Sequence, residues 1–164
     1  MQKFIVEGGE NLSGSITPSG NKNEALPVLA ASLLANKPVK IHNVPEILDI
    51  SIMKDLLTGI GVVINQSDKH SYYIDPVNIH NTNPDPNNAI RIRGSFLLAG
   101  PLLARRKSVV LPSPGGDRIG LRPVQTHLSA LEKLGTRINL NDKGFYEMET
   151  DGLKGAEIYL DEAS

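Results

Sequence analysis

Apolar residues recur along this chain with two periods, near 3.6 in some stretches and near 2 in others, and turn-forming runs separate them. Phe4 to Glu7 and Leu12 to Thr17 cluster around Gly8-Gly9 and predict two short strands. Ser19-Gly20-Asn21 offers a turn and a cap before a helix over Asn23 to Ala35. Val39 to Ile41 reads as a strand ended by Asn43-Val44-Pro45, and Asp49 is expected to cap a helix from Ile50 to Ile60. Val62 to Asn65 and Tyr72 to Asp75 predict a hairpin. Asp75 to Ala89 has three prolines and five asparagines, the chemistry of a surface connection. Arg91 to Ala104 then gives a second apolar helix, with Pro101 in a locally perturbed turn. A further helix opens at Pro123 and runs to Leu134, with Val124, Leu128, Leu131 and Leu134 on one face. Strands Thr136 to Leu140 and Phe145 to Met148 flank the turn Asn141-Asp142-Lys143-Gly144, and Ala156 to Leu160 predicts one more strand.

The pattern repeats. Leu26 to Ile64 can be laid on Phe96 to Ile138, both reading helix, strand, loop, helix, strand. Leu33 falls on Leu102, Val39 on Val109 and Gly61 on Gly135, so the second copy has a loop about four residues longer. An insertion at one equivalent loop of a repeated unit marks the face that carries function. That loop lies within LPSPGGDRIGLRPVQTH, Leu111 to His127. Pro112 and Pro114 stiffen the approach to Gly115-Gly116, which allows backbone amides close to a ligand, and Asp117 follows at the crest. Arg122 precedes a helix whose free amino-terminal amides attract anions. A capped turn with solvated charges is the plainer account of the same residues, and a lysine such as Lys22 ahead of a helix is ordinarily just solvated.

The segments SGNKNEALPVLAASLL, RGSFLLAGPLLAR and LPSPGGDRIGLRPVQTHLSALEKLG, in this order, resemble the amino-terminal part of the enolpyruvyl transferases that act on UDP-N-acetylglucosamine in peptidoglycan synthesis. The sister transferases that make enolpyruvylshikimate phosphate carry Lys-Ser where this chain has Lys22-Asn23. The resemblance implies an α/β (α+β) fold of repeated βαβαββ units, an inside-out α/β barrel of two similar domains with the active site in the cleft between them. Residues 1–21 would be opening strands belonging to the second domain, and 22–164 a truncated first domain with about two units and the start of a third.

It also implies the chemistry. The enolpyruvyl group of phosphoenolpyruvate moves to the 3-hydroxyl of UDP-N-acetylglucosamine through a tetrahedral intermediate, and phosphate leaves. The matching catalytic residues are Asp117, Lys22 and Arg122. Substrate contacts map to Lys22, Asn23, Arg93, Arg122, Pro123, Val124, Gln125, Thr126, His127 and Ser164, with no cofactor and no metal. Leu97 stands where the family often has an aromatic residue near the sugar. Asp117 stands where most members have the cysteine that fosfomycin alkylates, so fosfomycin insensitivity is expected. A thiol of pKa near 8.5 keeps its proton at pH 7, whereas an ordinary carboxyl near 3.9 is about 10³-fold deprotonated, about 4 kcal/mol from its acid form. Asp117 must therefore be desolvated, or sit beside bound phosphate, to act as the acid.

Composition adds limits. The 164 residues are 40% hydrophobic and 21% charged with a net charge of -1, which suits a globular protein and offers no basic field for nucleic acid. With no cysteine there is neither a disulfide nor a thiolate nucleophile. No apolar run reaches bilayer length and MQKFIVEGG has no signal-peptide core, so no membrane association is expected and the cytoplasm is the expected compartment. His42, His70, His80 and His127 form no metal-ligand spacing, and Arg105-Arg106-Lys107 reads as solvated surface. Because the chain stops at Ser164, before the resembled second domain, a catalytically inactive nucleotide-sugar binding or assembly fragment is the competing expectation.

Overall fold

A computed structural model of the chain describes residues 3–9, 11–115 and 124–160. Helix α1 (Lys22–Ala31) starts at Asn21, whose side-chain oxygen accepts the Asn23 backbone N–H at 2.7 Å, as the turn chemistry predicts. It continues as a 3₁₀ turn over Ser32–Leu34. After β1 (Val39–Ile41) comes α2 (Leu48–Gly59), then the hairpin β2 (Val63–Asp68) and β3 (Ser71–Asp75). Short α3 (Pro86–Ala89) leads to a 3₁₀ turn over Arg93–Leu98 and to α4 (Ala99–Arg106). The chain proceeds through β4 (Ser108–Pro112), α5 (Gln125–Lys133), β5 (Thr136–Leu140) and β6 (Phe145–Thr150).

Both halves build the same sheet. The first is ordered β1-β3-β2 and the second β4-β6-β5, all pairs antiparallel, so in each the closing strand of the hairpin returns to the middle. Helices cover the inner faces: Leu29, Leu33, Met53, Leu56, Leu57, Ile74, Leu98, Leu102 and Leu103 are all 0–1% exposed in one continuous core. The 3₁₀ turn before α4 packs closely on α1, since a Cβ on Gly94 would lie 2.9 Å from Leu26 Cδ1. Gly61 and Gly135, matched by the sequence repeat, both end a helix with positive φ, 104° and 96°. That backbone favours glycine and turns the chain into the following strand.

Several elements differ from expectation. The apolar residues of 4–7 and 12–17 form no strand: Phe4 is 99% and Leu12 97% exposed, with neither a sheet edge nor a core beside them. Residues 156–160 likewise form no strand, and Tyr159 is 84% exposed. Each half thus reads αβαββ among the described residues, without the leading strand of a βαβαββ unit. Asp49 is no cap; α2 begins at Leu48 behind Ile47, which supplies no side-chain bond, and Asp49 sits inside the first turn. The expected helix over Arg91 to Ala104 is a 3₁₀ turn followed by an α-helix, and Pro101 falls in the first turn of α4, where its missing N–H costs little. The connection 75–89 is not all surface, for Ile79 and Ala89 are buried. Arg105 is not simply solvated either: one guanidinium nitrogen donates toward the carbonyls of Leu33 (2.8 Å), Ala35 (2.9 Å) and Pro76 (3.4 Å), tying α4 to the first half.

Candidate functional site

A cleft of about 580 Å³ lies where the two halves meet. Its wall is drawn from four chain segments: Lys22, Asn23, Leu26 and Pro27 of α1; Leu48 and Asp49 of α2; 91–94 with Phe96 and Leu97, ahead of and within the 3₁₀ turn; and Val124 and His127 at α5. The repeat explains the convergence. Each half brings the start of its first helical segment and the start of its second helix to the same cleft. Three helix starts border the cleft and give it a positive end potential.

Lys22 lies 3.1 Å from Asp49, the pair being 48% and 33% exposed. At such exposure the pair contributes about 0–1 kcal/mol to stability, so its consequence is placement: a lysine ammonium held at the cleft mouth beside Asn23. Arg91 reaches the Asn88 side chain at 3.0 Å, and Arg93 lines the cleft from the neighbouring turn. The His127 ring stands edge-to-face with buried Phe96, centroids 6.0 Å apart, and Phe96 in turn meets Tyr146 of β6 at 5.9 Å. The other histidines serve the frame. His42 Nδ1 is 3.0 Å from Ser71 Oγ, His70 Nδ1 donates to the Val44 carbonyl at 3.0 Å, and His80 Nδ1 lies 3.2 Å from the Asn78 carbonyl. Among the described residues no group of three or more His, Asp or Glu is gathered so as to hold a metal ion.

Of the residues singled out from sequence, Lys22, Asn23, Arg93, Val124 and His127 meet in this cleft. Gln125 and Thr126 belong to the first turn of α5 without lining it. Asp117, Arg122, Pro123 and Ser164 lie outside the described residues. Leu97 is half-buried on the cleft wall. Sequence reasoning missed Asp49, taken for a cap, as well as Leu26 and Phe96, which helical periodicity marks only as core.

Comparison with known proteins fixes the kinship of this arrangement. The sequence profile of EPSP synthase (3-phosphoshikimate 1-carboxyvinyltransferase) matches residues 6–164. The chain belongs to the EPSP synthase family. Similar relatives are named UDP-N-acetylglucosamine 1-carboxyvinyltransferase: that of Bradyrhizobium diazoefficiens is 46% identical over 99% of this chain and 37% of its own length. That of Desulfatibacillum aliphaticivorans is 44% identical over 98% and 38%. The chain therefore spans under two fifths of these relatives. Among solved structures, the enolpyruvyl transferase NikO from Streptomyces tendae superposes with a TM-score of 0.75 at 22% identity, covering 89% of this chain and 32% of that one. EPSP synthase from Acinetobacter baumannii gives 0.66 at 22% identity, covering 92% and 35%. The mixed α/β architecture is thus that of enolpyruvyl transferases. Among the described residues, no helix is long and apolar enough to cross a membrane.

Proposed function

We propose that this chain forms part of a cytoplasmic enolpyruvyl transferase that moves the enolpyruvyl group of phosphoenolpyruvate to the 3-hydroxyl of UDP-N-acetylglucosamine, the first committed step of peptidoglycan synthesis. The observation that carries the reading is the gathering of Lys22, Asn23, Arg93 and His127 from both halves onto one cleft. Relatives bearing that activity in their names share 44–46% of its residues.

In this reading the sugar hydroxyl adds to C2 of phosphoenolpyruvate while its methylene carbon takes a proton. Phosphate then leaves as a methyl proton is returned. Lys22 and Arg122 balance the phosphate charge, and the amino-terminal amides of α5 face the diphosphate of the sugar nucleotide. Asn23, Arg93 and the 122–127 segment orient the sugar nucleotide, and Ser164 touches it. Asp117 exchanges the proton at the methylene carbon, which requires a carboxyl held above its ordinary range by desolvation or by the bound phosphate.

The test is phosphate release from phosphoenolpyruvate by the full-length protein. It is expected only when UDP-N-acetylglucosamine is present; release with shikimate 3-phosphate in its place overturns the substrate assignment. The 164-residue chain by itself is expected not to turn over, because half-exposed Lys22 shows the cleft open to water, and water exclusion is part of such chemistry. Binding of UDP-N-acetylglucosamine to the chain alone is expected in the millimolar range, about 4 kcal/mol. Its chemical-shift changes are expected at Lys22, Asn23 and 122–127, and changes centred on 75–89 would place the site elsewhere.

A further inference from the structure

Phe96 occupies an unusual place for a buried apolar side chain. It is 5% exposed, yet its ring meets two partly polar rings, exposed His127 at 6.0 Å and half-buried Tyr146 at 5.9 Å, with interplanar angles of 90° and 80°. The three rings come from three elements: the 3₁₀ turn that carries Arg93, the first turn of α5, and β6. In the first half the positions matching Phe96 and His127 are the aliphatic Leu26 and Met53, while Tyr72 matches Tyr146. Leu97, next along the chain, supplies no aromatic face to the cleft.

We infer that Phe96 is a positioning residue for the sugar-nucleotide wall, holding the His127 imidazole over the cleft by an edge-to-face contact braced from behind by Tyr146. Edge-to-face pairs are directional, because the positive rim of one ring seeks the negative face of the other, so an aromatic residue fixes an imidazole plane where an aliphatic one only fills volume. His127 is exposed, and among the described residues its ring is met edge-on by Phe96, so the ring beneath it sets its angle. Phe96 also joins the Arg93 turn to α5, so two substrate-facing groups share one brace.

This inference rests on the transferase reading, and its test separates the two. In the full-length protein, Phe96→Leu should raise KM for UDP-N-acetylglucosamine about fivefold to tenfold, leaving kcat and KM for phosphoenolpyruvate within about twofold. The Hε1 resonance of His127 should lose its ring-current displacement in the same variant, and Phe96→Tyr should restore both. Tyr146→Leu, on the partly exposed side, should move them in the same direction to a smaller extent and serves if Phe96→Leu does not fold. An unmoved His127 resonance with unchanged KM overturns the inference. If the unaltered protein does not use UDP-N-acetylglucosamine, the transferase reading fails, while the His127 resonance still decides whether Phe96 sets the ring.

Discussion

The two halves of this chain share a strand order and differ in what they hang on it. In the first, the connection from β1 to α2 covers 42–47; in the second, the connection from β4 to α5 covers 113–124. The short one closes tightly: Asn43 has φ 56°, and a Cβ on Gly20 would fall on its carbonyl oxygen. The second half has the same close approach with the roles exchanged, for a Cβ on Gly115 would fall on the Ile90 carbonyl oxygen. Both halves therefore need one glycine where the segment entering the first helix crosses the loop leaving the first strand, and either strand of the crossing can supply it. What differs is the length beyond the crossing. The first half keeps only enough residues to reach its helix, and the second has the additional span in which Asp117 and Arg122 fall. A repeated frame tolerates this because loop extension costs little entropy once the ends are fixed.

The largest expected effect separates those two connections. In the full-length protein, Asp117→Asn should lower kcat by about 10²–10⁴, the range for loss of a general acid or base. Glu46→Gln, in the short connection and paired with Lys69 at 3.3 Å, should leave kcat within about twofold. Steady-state phosphate release measures both, and equal losses would remove the functional distinction between the loops. Asp117→Cys should keep activity and bring inactivation by fosfomycin, since a thiolate opens an epoxide far more readily than a carboxylate.

Next come the crossings. Gly20→Ala and Gly115→Ala should each cost about 3 kcal/mol or more, because the new methyl meets backbone rather than a movable side-chain tip. Gly100→Ala in α4 meets open space and should instead stabilise by about 0.5–1 kcal/mol. Urea unfolding of the chain checks all three. A mild Gly115→Ala beside a severe Gly20→Ala would show that only the short connection depends on its crossing.

The first half was the more legible in sequence, and the reason is physical. The Asn21 cap, β1 and the hairpin answer to local rules, and Gly61 and Gly135 could be paired because a helix ending in positive φ selects glycine in both copies. The strands expected at 4–7, 12–17 and 156–160 were misread for the opposite reason: alternation shows that a segment can be a strand, but the partner that makes it one lies elsewhere. The Lys22–Asp49 contact joins residues of two helices, so Asp49 looked like a cap by position alone. Phe96 was hidden by its hydrophobicity, and Arg105 by two basic neighbours that are in fact exposed.

Arg105 gives a prediction of intermediate size. Its three carbonyl acceptors belong to the end of the first helical segment and the turn after β3. Arg105→Ala should cost about 2 kcal/mol, in the range for hydrogen bonds from a charged donor. Arg105→Lys should recover only part, since an ammonium lacks the planar array that serves several carbonyls at once. Thermal unfolding measures the loss. Hydrogen exchange should rise first at the joint around 33–35 and 76; uniform acceleration through both sheets would mean that the arginine supports general stability and not the junction.

The smallest effect compares two exposed carboxylates, one on each sheet. Asp68, at the end of β2, is held below the ordinary value of 3.8 chiefly by the His70 backbone N–H, which it accepts at 2.9 Å, and then by Ser71. Asp151, just past β6, is also held below 3.8, chiefly by its bond to Arg137 at 2.9 Å and by that residue's charge. A depressed folded-state pKa means that each contributes stability above the ordinary carboxyl range and loses it as pH falls through the folded value. Their responses to salt should diverge. At 1 M ionic strength the screening length is about 3 Å, so the exposed Asp151–Arg137 attraction fades and the Asp151 titration should move up toward 3.8. The Asp68 bond is a short-range turn contact and should keep its titration low. Carboxyl-carbon NMR titrations at low and high salt measure the difference, and an equal upward movement of both would show that charge, rather than the turn amide, governs Asp68 as well.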